Sequence, residues 1–226
     1  MYIKNIHIEN FRNFQNTDIP LKKLTIIVGE NDAGKSNLLD AVRLVLNNNG
    51  LAYFSRSLSI TDINKDSVEE FQEYLWNNSA KITEKLNDNA YMKTVYEKIP
   101  VVKVRVTFTD AKTEYQKQLL RDWINLTDDE EVCFEVEYSF APIKLREFIE
   151  ECLFLQDRVD NFMIPVEKYE YRIYSVNNAK GVNKDKLKNF NISIINAERD
   201  TFSENDRQNS YKLVSSLIER SITKED

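Results

Sequence analysis

The sequence predicts an α/β domain in which an antiparallel sheet packs beside a strand–glycine loop–helix unit, with a helical insertion between them. Three observations predict it. The apolar run Leu24-Thr25-Ile26-Ile27-Val28 leads into a loop holding two of the chain's four glycines, and a helical stripe follows. Several other stretches alternate apolar and polar residues with a period of two, the signature of strands with one covered face. Finally, Ser57 to Ile99 is polar, lacks glycine and carries its apolar residues at helical spacing. At 226 residues the chain is long enough for one large domain, or one domain with a substantial insertion.

Taken in order, Ile3, Ile6, Ile8 and Phe11 alternate against polar neighbours in a first strand. A turn at Arg12–Thr17 leads to a short second strand near Thr17–Leu21. Leu24–Val28 is continuously apolar, as expected of a strand buried on both faces. After the glycine loop, Leu38, Val42, Val45 and Leu46 recur at helical spacing until Asn47–Gly50 ends the helix. Phe71, Leu75, Ile82 and Leu86 mark the amphipathic stripe of the insertion. Val102, Val104, Val106 and Phe108 alternate with Lys103, Arg105 and Thr107 in another strand. Tyr115, Leu119, Leu120 and Trp123 predict a helix. Val132, Phe134, Val136, Tyr138 and Phe140 alternate again, which puts Glu135 and Glu137 on a solvated outer face. Leu145, Phe148, Ile149 and Cys152 predict a helix, Tyr169–Val176 and Phe190–Ala197 two strands, and Tyr211–Ile222 a last amphipathic helix without a C-cap. The expected organisation is a strand–loop–helix core over residues 1–56, a helical insertion over 57–100 and a sheet-bearing continuation over 101–226.

Composition narrows the function. A net charge of −6 argues against a globally basic nucleic-acid binder, since phosphate neutralisation supplies most non-specific affinity. With one histidine, His7, in a strand pattern, a multi-histidine metal site and triad chemistry are both out of reach. Cys133 and Cys152 match no ligand spacing and read as reduced core thiols, so a cytoplasmic location is expected. No apolar run approaches the ~20 residues that span a bilayer, so no membrane association is expected.

Gly29-Glu30-Asn31-Asp32-Ala33-Gly34-Lys35-Ser36 fits the phosphate-loop pattern G-x-x-x-x-G-K-[ST]. Gly29 permits the sharp turn, and Gly34 lets the backbone come close to the phosphates as the chain enters the helix. Backbone N–H groups of the loop and the positive end of the following helix would face one anion. Lys35 would reach the β- and γ-phosphate oxygens, and the Ser36 hydroxyl would ligate Mg²⁺. ATP with Mg²⁺ is the expected cofactor pair. GTPase motifs are absent: no glycine follows an aspartate by three residues, and both Asn-Lys-Asp runs, at Asn64 and Asn183, bring the aspartate one residue early. A small-molecule kinase fits poorly, because two strand patterns precede the loop.

The stretch Ile3–Leu21 with its Asn10-Phe11-Arg12-Asn13-Phe14 end, the loop and helix from Gly29 to Ala41, and Ile195–Asp200 resemble the RecF-like and SMC-like ATPases with ABC-type heads. The nearest resemblance is to the OLD (overcoming lysogenization defect) family, which includes the nuclease subunit of the Gabija anti-phage system. The resemblance implies the N-terminal lobe of an ABC-type P-loop NTPase head that binds ATP–Mg²⁺ between two protomers. It implies that Arg12 and Asn13 lie near the nucleotide and that Asn37 begins the helix beside the phosphates. It also implies a homodimer or higher oligomer formed through the heads, with DNA contacted by the full-length protein or a partner. In this reading ATP gates a DNA nuclease in anti-phage defence or DNA repair.

Parts of that machinery do not appear in the sequence. Gly50 and Gly181 sit in no Ser-Gly-Gly-type signature. No apolar strand ends in a Walker B carboxylate. The Asp-x-Asp pair that a Toprim nuclease needs for its metals occurs nowhere in the chain. The nuclease is therefore expected outside this chain, and the uncapped last helix reads as the N-terminal part of something longer. The alternative is a nucleotide-binding interaction module that does not hydrolyse ATP and is completed by a partner chain.

Overall fold

The computed structural model describes residues 1–31, 33–46, 57–126, 132–156 and 163–177, together with 181, 182, 187 and 190. All of these belong to one compact unit, Met1–Ile192; a second unit, Ser193–Asp226, holds no described residue. Strand β1 (Tyr2–Phe11) turns into β2 (Phe14–Pro20), and the loop leads to helix α1 (Lys35–Leu46). A 3-10 turn (Ile60–Asp62) opens the insertion, with helices α2 (Lys65–Glu84) and α3 (Asn89–Tyr96). Then follow β3 (Val102–Thr109), α4 (Glu114–Leu120), β4 (Ile124–Leu126), β5 (Val132–Pro142), α5 (Leu145–Gln156) and β6 (Tyr169–Ser175).

The six strands form one antiparallel sheet in the order β2-β1-β3-β5-β4. The far edge of β5 is shared, β4 pairing with its first residues and β6 with the stretch Val136–Pro142. The alternation expected from the sequence is what the sheet uses. Ile6, Ile8, Val104, Val106, Phe108, Val136, Tyr138 and Phe140 are all buried. Helix α1 lies against β3, with β5 and β1 to either side, and adds Leu38, Ala41, Val42 and Val45 to the same core. In the insertion, Phe71, Leu75 and Ile82 are buried as the helical stripe requires, and Phe71 stacks on Phe148 of α5 at 6.2 Å between ring centroids. Cys133 and Cys152 are buried and share no disulfide, and the Cys133 thiol donates to the Asn125 carbonyl at 3.5 Å.

Four expectations change. The second strand begins at Phe14 rather than near Thr17, because Phe11 and Phe14 pair directly and Arg12–Asn13 form a two-residue hairpin loop. Such loops favour a positive φ at their first central residue, and Arg12 adopts one of 48°. Secondly, Leu24–Val28 is not a buried strand: Leu24 is 82% and Val28 88% exposed, and no described strand pairs with it. Pro20 has no N–H to continue the ladder, and the last sheet bond beyond it is Leu21 N–H to the Lys4 carbonyl. A Lys22–Thr25 turn, with Lys22 N–H donating to Thr25 Oγ1 at 2.9 Å, carries the chain away. β1, β3 and β5 already have neighbours on both edges, so no interior slot is open to it.

The third change concerns Glu137, which is 2% exposed rather than solvated. Arg105, its direct partner across β3 and β5, donates from Nε and Nη2 to Glu137 Oε2, both at 2.8 Å. The Tyr174 hydroxyl donates to Glu137 Oε1 from β6. Burial, and then this bond to a carboxylate, push the tyrosine pKa up, because both disfavour the phenolate. Neighbouring Glu135 accepts from Thr107 and Asn125. Lastly, β4 escaped the sequence reading because three residues are too short to show a period. The strand expected at Phe190–Ala197 and the helix at Tyr211–Ile222 lie outside the described residues, apart from Phe190, whose ring sits 5.2 Å from those of Phe108 and Trp123.

Glu137→Ala should destabilise the chain by about 2 kcal/mol, since it leaves a half-buried guanidinium and a tyrosine hydroxyl without their acceptor. Chemical denaturation checks this. Glu137→Gln, which keeps an acceptor, should recover part of the loss.

Candidate functional site

Helix α1 begins at Lys35, directly after Gly34, as the motif predicts. Its first turn contains no acidic residue, so nothing of its own neutralises the positive end of the helix. The loop residues Gly29, Glu30, Asn31 and Ala33 are exposed, and Asp32 lies outside the described residues. Lys35 folds back over the loop: its ammonium donates to the Gly29 carbonyl at 2.8 Å and the Glu30 carbonyl at 2.5 Å. The Ala33 N–H closes the loop on the Glu30 carbonyl at 3.3 Å. Ser36 is exposed on the first turn of the helix.

Gly34 is buried, with a φ of +92°, a conformation that L side chains rarely adopt. A Cβ there would stand 2.3 Å from Asn13 Nδ2. The bare Cα therefore accommodates the amide of Asn13, which reaches over from the β1–β2 hairpin. Asn13 Oδ1 in turn accepts from Asn37 Nδ2 at 2.7 Å. The requirement for glycine is thus twofold, a left-handed backbone and the close approach of a neighbouring side chain.

Arg12 joins the same helix. Its Nη1 donates to Asn37 Oδ1 at 2.9 Å and Asp40 Oδ2 at 2.8 Å, while Nε donates to Asp62 Oδ1 at 3.0 Å. Its guanidinium also lies over the Phe11 ring, 4.9 Å from the centroid. Partial burial works against its charge, but the bonds to Asp40 and Asp62 outweigh this, and its pKa rises. Asp62 shows the mirror image. Burial would raise its pKa, but the Ser59 N–H, the Ser59 hydroxyl and then Arg12 hold it below the usual carboxylate range.

The hairpin is also tied to the insertion by its backbone. Arg12 N–H donates to the Asp62 carbonyl, Asn64 N–H to the Asn10 carbonyl, and Asn64 Nδ2 to the Arg12 carbonyl at 2.7 Å. Asn64 caps α2 by accepting from Ser67 N–H, and the Ser67 hydroxyl donates to Asn10 Oδ1. Asn10 and Arg12 both hold positive φ values, of 54° and 48°.

The structure thus brings Arg12, Asn13, Gly34 and Asn37 into direct contact and places Lys35 over Gly29 and Glu30. Sequence reading missed Asp40, Asp62 and Asn64. Asp40 had a signal, since it follows Asn37 by three residues and so shares its helix face. Asp62, fifty residues from Arg12, had none.

The AAA_15 family, the AAA ATPase domain, matches residues 1–225. The chain belongs to that family. Among curated relatives, it is 37% identical over 70 residues to the DNA replication and repair protein RecF of Rickettsia typhi, which is 30% of this chain and 18% of RecF. It is 36% identical over 83 residues to the Retron Ec83 probable ATPase of Escherichia coli, 35% of this chain and 14% of that protein. An ATP/GTP phosphatase of Helicobacter pylori matches at 56% over 41 residues, 18% of this chain and 11% of the relative. These matches therefore span less than a fifth of each relative. A solved structure described as the structural biochemistry of ATP-driven dimerisation and DNA-stimulated activation of SMC ATPases aligns with a TM-score of 0.40 and 17% identity, covering 84% of this chain and 77% of its own.

The donor set of this AAA ATPase domain suits a triphosphate with its metal. It offers an ammonium bonded to loop carbonyls, an exposed hydroxyl one residue on, and a first helical turn without acidic side chains. No group of three or more His, Cys, Asp or Glu suited to a metal occurs among the described residues. No described helix is long and apolar enough to cross a membrane.

Gly34→Ala should weaken the fold by about 1–2 kcal/mol through the strained φ and the clash with Asn13. Adding Asn13→Ala should relieve only the steric part in thermal denaturation. The depressed Asp62 pKa also fixes a sign: its contribution is present above the unfolded value near ~3.9 and fades as pH falls through the lower folded value. An acid titration of stability should therefore be shallower for Asp62→Asn below about pH 4.

Proposed function

We propose that this AAA ATPase domain is the nucleotide-binding head of a RecF/SMC-like protein and takes ATP with Mg²⁺ at Gly29–Asn37. The observation that carries the reading is Gly34, left-handed and buried at the mouth of α1, with the Lys35 ammonium folded onto the loop carbonyls. Lys35 would exchange those carbonyls for phosphate oxygens, and the loop amides and helix end would hold the same anion. Ser36 would hold Mg²⁺ through its hydroxyl. Arg12 and Asn13 would act from the hairpin side, near the nucleotide. Bound ATP–Mg²⁺ supplies a hydrolysable phosphoanhydride and a charge that two protomers can share.

In this proposal the head works as a homodimer or higher oligomer in the cytoplasm. ATP closes the head pair and gates a DNA nuclease carried outside this chain, in anti-phage defence or DNA repair, as in the OLD family. A ligand that bridges protomers has different contacts in open and closed states, which a switch requires. The domain bounds of 1–56, 57–100 and 101–226 are part of the same proposal.

One observation favours the second reading, a nucleotide-binding module that does not hydrolyse ATP. Glu135 and Glu137, the nearest candidates for a Walker B carboxylate, are engaged by Thr107, Asn125, Arg105 and Tyr174 within the sheet. Phosphate release from purified chain with ATP separates the two: binding without turnover supports the module, binding with turnover the ATPase.

Lys35→Ala should lower ATP affinity at least a hundredfold by calorimetry while leaving the thermal midpoint near that of the parent, because its bonds lie in an exposed loop. Unchanged affinity would sink the assignment. Ser36→Ala should reduce the dependence of binding on Mg²⁺.

A further inference from the structure

We propose that Asp62, at the entrance to the helical insertion, is a positioning residue for the phosphate loop. This rests on the reading of Gly29–Asn37 as a nucleotide site and adds how that site is held.

The chain of contacts runs in one direction. The Ser59 N–H and hydroxyl donate to Asp62 Oδ2 at 3.0 and 2.8 Å, which fixes the carboxylate on its own turn. Asp62 Oδ1 then takes Arg12 Nε, leaving Nη1 to reach Asn37 and Asp40 on the far side. A guanidinium is planar, so fixing Nε restricts where Nη1 can point. Asn37, held by Nη1 through its oxygen, is aimed so that its Nδ2 meets Asn13, and Asn13 is the side chain against Gly34. Arg43 Nη1 occupies the second oxygen of Asp40 at 3.0 Å, so Asp40 is held from both sides. Each link as far as Asn13 is a hydrogen bond of ordinary length between described residues, and the final step, Asn13 packed against Gly34, lies in the loop–helix junction that would meet the phosphates.

A left-handed arginine is an uncommon conformation that persists only where its surroundings hold it. Here the Arg12 backbone is bonded on both sides to the insertion, through the Asp62 carbonyl and Asn64 Nδ2. The insertion therefore sets both the backbone and the side chain of the residue that grips α1. Asp62 acts through Arg12 and touches neither the loop nor a ligand. Its partner Ser59 is itself bonded to Thr61, so the turn is braced internally.

The test uses the whole chain and two measurements on Asp62→Asn, Asp62→Glu, Arg12→Gln and the Asp62→Asn/Arg12→Gln double variant. First, hydrogen exchange without nucleotide is followed at the amides of Asn37–Leu39 and, as a control, at Val104 and Val136. Asp62→Asn should speed exchange in the first turn of α1 severalfold and leave the sheet amides unchanged. Secondly, ATP affinity is measured by calorimetry. Asp62→Asn should weaken it about tenfold, the scale of one charged hydrogen bond, and Asp62→Glu should recover part. In the Arg12→Gln background Asp62→Asn should add little, because both changes cut the same chain.

Unchanged exchange in α1, or losses that simply add in the double variant, overturns the proposal. So does faster exchange in α1 and the sheet together, which would mark a general loss of stability. Should the parent chain bind no ATP, the nucleotide reading fails, and the exchange experiment alone decides the role of Asp62.

Discussion

The Arg12 guanidinium, shared between Asp40 of α1 and Asp62 of the insertion, is the interaction on which the arrangement around the loop depends. It joins three pieces of chain that are far apart in sequence: the first hairpin, the phosphate-loop helix and the turn that opens the insertion. Apolar packing already seats α1 and Ile63 against the sheet, and the Arg12 contacts add polar ties among the three at the rim of that core. Arg12 is about one-third exposed and its acceptors about one-fifth and one-quarter, so the ion pairs keep access to water. Their value lies in geometry more than in net stability, since partly exposed pairs contribute on the order of 1 kcal/mol or less each. The planar fork fixes direction, and direction is what a loop near an anion requires.

How much of this could be read from the sequence follows from the range of each interaction. Period-two alternation is local, and it marked β1, β3 and β5 with their buried faces. The helical stripes of α1, α2 and α5 were legible for the same reason. The glycine loop was legible because its demands are local too: Gly34 is left-handed and opens a helix, as the motif requires. What failed was inference about neighbours. A run such as Leu24–Val28 says that its side chains suit burial on both faces, but not whether two strands stand ready to flank it. The described sheet has its interior edges filled, and Pro20 ends the ladder before the run begins. Asp62 and Asn64 were invisible for the complementary reason. Nothing in a polar turn announces that its carboxylate will meet an arginine fifty residues earlier.

Glu137 shows the same limit from the other side. Alternation placed it correctly on the face opposite Val136, but position on a face does not determine exposure. Arg105 and Tyr174 lie over it from the strands on either side, so a carboxylate that alternation assigns to solvent becomes buried. Burying a charge is costly unless its oxygens are satisfied, and here each oxygen has a donor. Such a group also specifies register. A one-residue slip of β3 against β5 would bury the carboxylate without Arg105 and bring Val136 to the polar face.

Part of the loop's hydrogen bonding is made within the loop itself. Lys35 holds the Gly29 and Glu30 carbonyls and the Ala33 N–H closes on Glu30, so an anion that takes the ammonium would replace those lysine bonds. Affinity then depends on the difference between two bonded states. That difference is larger when the binding geometry needs little rearrangement of the surrounding backbone. Gly34 in its left-handed conformation, Asn13 packed on its Cα and Arg12 gripping the first turn of α1 are features of that surrounding backbone, and each is held by contacts within the protein. Such bracing favours anion binding, and it explains why contacts outside the motif bear on what the motif can do.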